Sequence, residues 1–269
     1  MKTAKSRTRI LSAFCIAMLG ACGAARADDF EALQAAPRLL GPAGDFEAEY
    51  LDCDEFAGLG LVPLANVADL VPDDYTVIQP IPDLALIVAQ AGSCAEIQVE
   101  DGRSRPGTFA QFGVAVVPPL APGNGDFYQI LFTTNHPRLA FELRRRGVRA
   151  RFAPRLSYRI NDQPELEVKV PRPHRLAFEL SGPITLPDPA APANPISVFN
   201  YYSQSRRHGN ILQQNTVEGI RLGEGSAVIL TAIGSEMQAI VGGDFLMFPF
   251  FSSPEVFDRN VLSVVVDAF

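Results

Sequence analysis

Six arginines, Arg138, Arg144, Arg145, Arg146, Arg149 and Arg151, fall within fourteen positions of the stretch TTNHPRLAFELRRRGVRARF at 133–152. Clustered guanidiniums can hold phosphate or carboxylate bidentately or stabilise a developing anion. Lys169 is the single lysine beyond the first 27 residues, and a desolvated lysine is the residue type that forms imines with carbonyl compounds. Its context, Glu165-Leu166-Glu167-Val168-Lys169-Val170, alternates with period two, so Lys169 shares a polar strand face with Glu165 and Glu167 and reads as solvated. His136, His174 and His208 stand far apart, each beside proline or arginine, and no metal is assigned to them. Cys53 and Cys94 are the two cysteines beyond the first 27 residues. They are expected to pair as a disulfide, closing a loop of about forty residues and stabilising by roughly 3 to 4 kcal/mol in the chain-entropy model.

Signature motifs for phosphate loops, dinucleotide binding, zinc proteases and EF-hands are missing. Gly223-Glu224-Gly225-Ser226 approaches a serine-hydrolase elbow only loosely and reads as a turn entering a strand. No cofactor is implied.

The chain opens with basic Lys2, Lys5, Arg7 and Arg9, an apolar run from Ile10 to Ala25, and Ala25-Arg26-Ala27 before Asp28. That pattern describes an export signal cleaved between Ala27 and Asp28, which predicts a periplasmic or secreted protein. Leu19-Gly20-Ala21-Cys22 is an alternative lipobox; lipidation at Cys22 would make the protein a membrane-anchored lipoprotein, the one route to a membrane partner. The full chain carries 23 basic and 30 acidic residues, net −7. Loss of Lys2, Lys5, Arg7, Arg9 and Arg26, with no acidic residue, leaves 18 against 30, net −12. Such a charge opposes nucleic acid as a partner.

The candidates take their positions from the strands and helices around them. Short segments rich in Val, Ile, Phe and Tyr, bounded by Gly, Pro, Asn or Asp, predict strands at 84–89, 95–99, 109–117, 127–133, 148–160, 166–170, 176–180, 196–202, 227–232 and 261–266. Helices are expected over Pro63 to Pro72, after an Asn135 cap and Pro137 with Gly147 as the stop, and as a short turn from Ser235 to Val241. Arg144, Arg145 and Arg146 then sit in a last helical turn, where cations suit the macrodipole by about 0.3 to 1 kcal/mol each. The fold class is mainly β, a β-rich α+β arrangement: a closed or cone-like antiparallel β-barrel or double sheet with two or three short helices. The domain reading is a signal over 1–27, an N-terminal extension with the first strand over 28–58, and a single β domain over 59–269.

Three landmarks carry a resemblance: Ala68-Asp69-Leu70-Val71-Pro72 closing the first helix, Gly125-Asp126-Phe127-Tyr128 opening a strand, and Asn135-His136-Pro137 leading into a helix. Over roughly Leu59 to Tyr158 their order and spacing resemble the acetoacetate decarboxylase family. The resemblance implies a cone-shaped barrel with a central apolar pocket, and a lysine that forms a Schiff base beside a second lysine that lowers its pKa. Aligned from Asn135-x-Pro137, that pair falls at Ala150-Arg151, the family's pocket carboxylate near Gln111 (judged from Gly113), and its early pocket arginine near Leu61. Neither alanine nor a guanidinium can form the imine, so decarboxylase activity is not expected, and whether the chain is an enzyme at all stays open.

The candidates for a ligand pocket are Gln111, Tyr128, Arg149 and Arg151 as polar contacts and Leu61, Val114 and Phe152, with Phe112 and Val116, as apolar lining. The leading expectation is an exported, non-decarboxylating protein that binds a small carbonyl, acid or lipid-like molecule in a central pocket. One alternative is an enzyme of lyase, aldol-type or hydratase chemistry in the same pocket, with Gln111, Tyr128 or an arginine as electrostatic stabiliser. The other is a non-catalytic envelope or partner-binding protein, which could present the aromatic segment FLMFPFF at 245–251.

Overall fold

The computed structural model describes residues 45–120, 122–171, 177–247 and 253–268. The expectations at Cys22, Ala27, Asp28 and His174, and residues 248–251 of the aromatic segment, lie outside them. The elements run β1 (Phe46–Pro63), β2 (Leu84–Val99), β3 (Arg105–Ala115), β4 (Gly125–Thr134), α1 (Pro137–Arg145), β5 (Ala150–Phe152), β6 (Ser157–Ile160), β7 (Glu165–Lys169), β8 (Phe178–Thr185), β9 (Asn194–Ser205), β10 (Gly209–Leu222), β11 (Glu224–Gly225), β12 (Val228–Thr231), α2 (Glu236–Val241), β13 (Phe245–Leu246) and β14 (Ser253–Val266).

Seven strands close a barrel in the order β3-β2-β1-β14-β10-β9-β4, with β4 pairing back onto β3. Neighbours are antiparallel except β4 and β9. The first half of β4 pairs with β9, and its second half carries β5, also parallel. A second antiparallel sheet runs β13-β12-β8-β7-β6, with β11 added to β8.

Alternation assigns each side chain to the inside or the outside of the barrel, and local irregularities reset it. In β1, Phe46, Ala48 and Tyr50 face inward. Asp52 then takes a φ of 49°, a conformation a short polar side chain tolerates, and the phase shifts. Cys53 and Glu55 therefore continue inward while Phe56 and Val62 turn outward. A register shift between Phe112 and Gly113 does the same for β4, so Gln129 and Phe132 both point inside.

The outward residues Phe56, Ile87, Phe112, Val114 and Leu131 pack on Leu166, Val168, Leu180 and Ile229 of the second sheet and on Met237 and Ile240 of α2. Each fully buried side chain of this kind contributes about 1.5 to 3 kcal/mol. Cys53 and Cys94, cross-strand partners on β1 and β2, form a disulfide.

The helices differ in detail from expectation. Leu64–Asn66 and Ala68–Leu70 are two single 3-10 turns rather than one α-helix, and the Asn66 side-chain amide donates across to Ile240 O at 3.0 Å. α1 is capped by His136, whose Nδ1 accepts from the Leu139 amide at 3.1 Å, while the Asn135 side-chain Oδ1 accepts instead from the Thr108 backbone amide at 2.8 Å. Gly147 at φ 91° follows the helix end. α2 has Ser235 as N-cap and Gly242 in the left-handed region as its stop.

Candidate functional site

The arginine cluster resolves into separate jobs. The Arg144 guanidinium donates to Ala140 O at 3.1 Å, and Arg145 pairs with Glu142 at 3.2 Å. Arg146 is buried: it bonds Glu142, donates to Asp45 O at 3.0 Å and stacks over the Phe46 ring at 4.3 Å. Arg144 and Arg145 thus bond within the helix, and Arg146 ties its end to Asp45 and to Phe46 of β1. Arg149 and Arg151 remain on the surface.

Inside the barrel, β2, β3, β4 and β10 each present a glutamine, and the four amides link head to tail. Gln213 Nε2 donates to Gln129 Oε1 at 2.8 Å, and Gln129 Nε2 donates to Gln111 Oε1 at 3.1 Å. Gln111 donates on to Gln90, and Gln90 to the Glu55 carboxylate; the Tyr201 hydroxyl also donates to Gln90 Oε1. Glu255 sits directly across from Glu55 in the β1–β14 ladder. Tyr50, Glu55, Gln111, Tyr201, Glu255 and Asn260 are among the residues around a cavity of about 20 Å³.

Burial, then the charge of Glu255, push the Glu55 carboxyl well above the usual carboxylate range, and the Gln90 hydrogen bond pulls it back down. Burial likewise pushes the Tyr50 and Tyr201 phenols up, aided by the charge of Glu55. Since about 20 Å³ is space for roughly one water molecule, an organic ligand has no room here.

A larger opening lies on the outer side of the barrel wall. Asp69, Leu70, Tyr128, Arg149, Gln204 and Arg206 border a cleft of about 460 Å³, within the size range of small-molecule sites. Two sequence landmarks build its frame. Asp126 accepts from the Gly123 amide at 3.0 Å, the Asn200 amide at 2.9 Å and the Tyr202 hydroxyl at 3.0 Å, which ties β4 to β9. The segment after the 3-10 turns brings Tyr75 against Tyr128 and Tyr202, ring centroids 5.0 and 5.9 Å apart, and Asp74 accepts from the Gln204 amide at 3.0 Å. Burial pushes the Tyr128 phenol up, while the Arg149 charge and the hydrogen bond to the Gln204 backbone draw it down. Among the described residues neither Arg149 nor Arg206 forms an ion pair.

The seven positions proposed from sequence are thus distributed. Tyr128 and Arg149 meet in the outer cleft. Gln111 faces the interior cavity. Val114 packs between barrel and second sheet. Leu61 is half-buried on β1, opposite Leu86. Arg151 is exposed, and so is Phe152, at 43%. Ala150, where the resemblance lays a reactive lysine, is buried with Phe132, Leu139 and Leu143. Lys169, the only lysine among the described residues, lies on β7 of the second sheet, half-exposed and paired with Glu167.

Sequence reasoning missed Glu55, Gln90, Gln129, Gln213, Glu255 and Asn260. Strands were sought by an apolar inner face, and a polar inner face carries no such signal.

No family model matches the chain, and no curated protein matches it. Solved structures do. An acetoacetate decarboxylase from Legionella pneumophila subsp. pneumophila superposes with a TM-score of 0.55 at 13% identity, over 87% of this chain and 92% of its own. A further acetoacetate decarboxylase structure gives 0.52 at 9% identity, over 81% and 88%. MppR, an enduracididine biosynthesis enzyme solved in complex with pyruvate, gives 0.50 at 10% identity, over 87% and 93%.

Proposed function

We propose that this chain, which has the acetoacetate decarboxylase fold, is an exported protein that binds a small organic acid in the outer cleft and performs no imine chemistry. The observation that carries the reading is the convergence of Tyr128, Arg149, Gln204 and Arg206 on one open cleft of about 460 Å³. Two guanidiniums that form no ion pair among the described residues supply planar, bidentate donors for a carboxylate, and a phenol and an amide beside them can orient the rest of a small molecule.

The absence of imine chemistry is supported by the position of Lys169. A lysine becomes nucleophilic near neutral pH by desolvation or a neighbouring cation, and Lys169 has the opposite surroundings, solvent and the Glu167 carboxylate. That contact and the Glu167 charge hold its ammonium above its ordinary range. Export is supported by the Ala25-Arg26-Ala27 site and the Cys53–Cys94 disulfide, which suits an oxidising compartment.

Calorimetric titration with pyruvate and acetoacetate, and with acetone as the neutral control, tests the reading. The acids are expected to bind, Arg149→Gln and Arg206→Gln each to weaken them by about tenfold or more, consistent with the loss of one charge-assisted contact, and acetone not to bind. Borohydride treatment with the same acids is expected to leave the intact mass unchanged. Equal binding of acetone, indifference to both arginine substitutions, or a reduced imine adduct would each overturn it. Mass spectrometry of the exported protein is expected to find Asp28 as its first residue.

A further inference from the structure

The outer cleft carries charge of both signs, and a simple carboxylic acid uses only one of them. Asp69 lies in the 3-10 turn Ala68–Leu70, within the first of the three sequence landmarks, and borders the cleft together with Arg149 and Arg206. Among the described residues it forms neither an ion pair nor a hydrogen bond. A carboxylate beside a site for anions opposes them by like-charge repulsion. It favours binding once the ligand brings a cation of its own.

Gln204 supplies a second acceptor. Its Nε2 donates to Asp74 Oδ2 at 3.0 Å and to Asn210 Oδ1 at 3.2 Å. The Asp74 carboxylate can only accept, so this contact fixes which end of the amide is nitrogen, and the two bonds use both amide protons. That leaves Oε1 as the polar atom of the Gln204 side chain without a partner among the described residues. Tyr128 is set the other way round: the Gln204 backbone donates to its phenol oxygen, and the hydroxyl proton is left to give.

The cleft thus joins two guanidiniums and a hydroxyl donor to a carboxylate and an amide acceptor. A keto acid offers this set only acceptors. A 2-hydroxy acid adds one uncharged donor, whereas an α-amino acid adds an ammonium with three, and charge-assisted hydrogen bonds are roughly twice as strong as neutral ones. Asp69, Arg149 and Arg206 are all exposed, where a single ion pair contributes little, so a ligand that engages both signs at once gains over one that engages either alone. The volume of about 460 Å³ leaves space for a side chain beside Leu70 and Pro72.

We propose that the cleft selects zwitterionic α-amino acids over simple carboxylic acids, with Arg149 and Arg206 taking the carboxylate and Asp69 and Gln204 Oε1 taking the ammonium. This rests on the organic-acid reading of the cleft and makes Asp69 its specificity-determining residue.

The test is calorimetric titration of the full protein with L-alanine, pyruvate, propionate and N-acetyl-L-alanine, which share a carboxylate and differ in the group at the next carbon. Alanine is expected to bind about tenfold more tightly than the other three, the gain of one charge-assisted contact. Asp69→Asn, which keeps the shape and removes the charge, should bring alanine to within about twofold of pyruvate. Asp101→Asn, at an exposed ion pair with Arg138, should leave the alanine preference as it is in the wild type. Pyruvate and propionate binding as tightly as alanine would overturn amino-acid selection while leaving the organic-acid reading standing. A preference for alanine that survives Asp69→Asn in full would overturn the role given to Asp69. Failure of all four compounds to bind at millimolar concentration would overturn both readings of the cleft.

Discussion

Reduction or removal of the Cys53–Cys94 bond is the perturbation whose cost follows most directly from the structure. The two cysteines are 41 residues apart in sequence, and in the chain-entropy model a closed loop of that length removes about 4 kcal/mol of unfolded-state freedom. For a domain of this size each kcal/mol moves the melting temperature by about 2 to 4 °C, so loss of the cross-link should lower it by about 8 to 16 °C. Cys53 and Cys94 also belong to the apolar cluster of Tyr50, Ile97 and Phe257, so a double Cys→Ala variant loses sulfur packing in addition to the cross-link. Thermal melting by circular dichroism should therefore be run on oxidised wild type, wild type in dithiothreitol, and the double variant. The reduced wild type is expected to fall by the entropic amount, and the double variant by somewhat more. If the reduced protein melts within about 3 °C of the oxidised one while free-thiol assay confirms reduction, the loop-closure reasoning is wrong. The barrel would then be held by its ladders alone, and the disulfide would lose its weight as support for an oxidising compartment.

Two other measurements probe the frame around the sites. Burial, reinforced by Arg105 and Arg138, holds the His136 imidazole below its ordinary 6.5, and its Nδ1 must stay unprotonated to accept from Leu139. The unfolded chain therefore takes up the proton first, and stability present above about pH 6.5 should be lost as pH falls toward the lower folded value; urea midpoints between pH 8 and 5 should show this slope in wild type and a shallower one in His136→Asn, which retains a capping side chain. Gly182→Ala should destabilise by about 2 to 3 kcal/mol, because its Cβ would lie 2.0 Å from the Ser226 carbonyl oxygen; an unchanged denaturation midpoint would contradict the close approach of that backbone to β8.

The β class, the helix ahead of β5 and the cysteine pairing were legible because each rests on a local signal: Val, Ile and Phe in alternation, a proline-opened and glycine-closed helix, and two cysteines beyond the first 27 residues. Boundaries failed where a local signal was overridden. The stretch 148–160 was read as one strand, yet Ala153-Pro154-Arg155 breaks it into β5 on the barrel and β6 on the second sheet, since proline cannot donate to a ladder. β2 was read as two strands because Gln90 and Gly92 interrupt its apolar run. It is one strand of 16 residues, with Gln90 turned into a polar interior and Gly92 passing beneath the Phe109 ring, where a Cβ would come within 2.9 Å.

β10 went unread altogether, and the reason lies in the barrel interior. Gly209–Leu222 contains Gln213, Asn215 and Glu218 where a conventional half-buried strand would alternate apolar with polar. Gln213 and Asn215 lie between inward Ile211 and Val217 and are polar because the barrel interior at their height is lined by hydrogen-bonded amides: Gln213 starts the relay that ends on Glu55, and Asn215 Oδ1 accepts from the Asn260 side-chain amide. Amide chains of this kind are stable in a low-dielectric interior only if nearly every donor is satisfied, which explains why several strands must contribute at matched heights. Their directional arrangement leaves the Glu55 carboxylate as the acceptor at its end. The same substitution of amides for aliphatic side chains that hides β10 from periodicity therefore builds the hydrogen-bonded lining that joins β10, β4, β3 and β2 to Glu55 on β1.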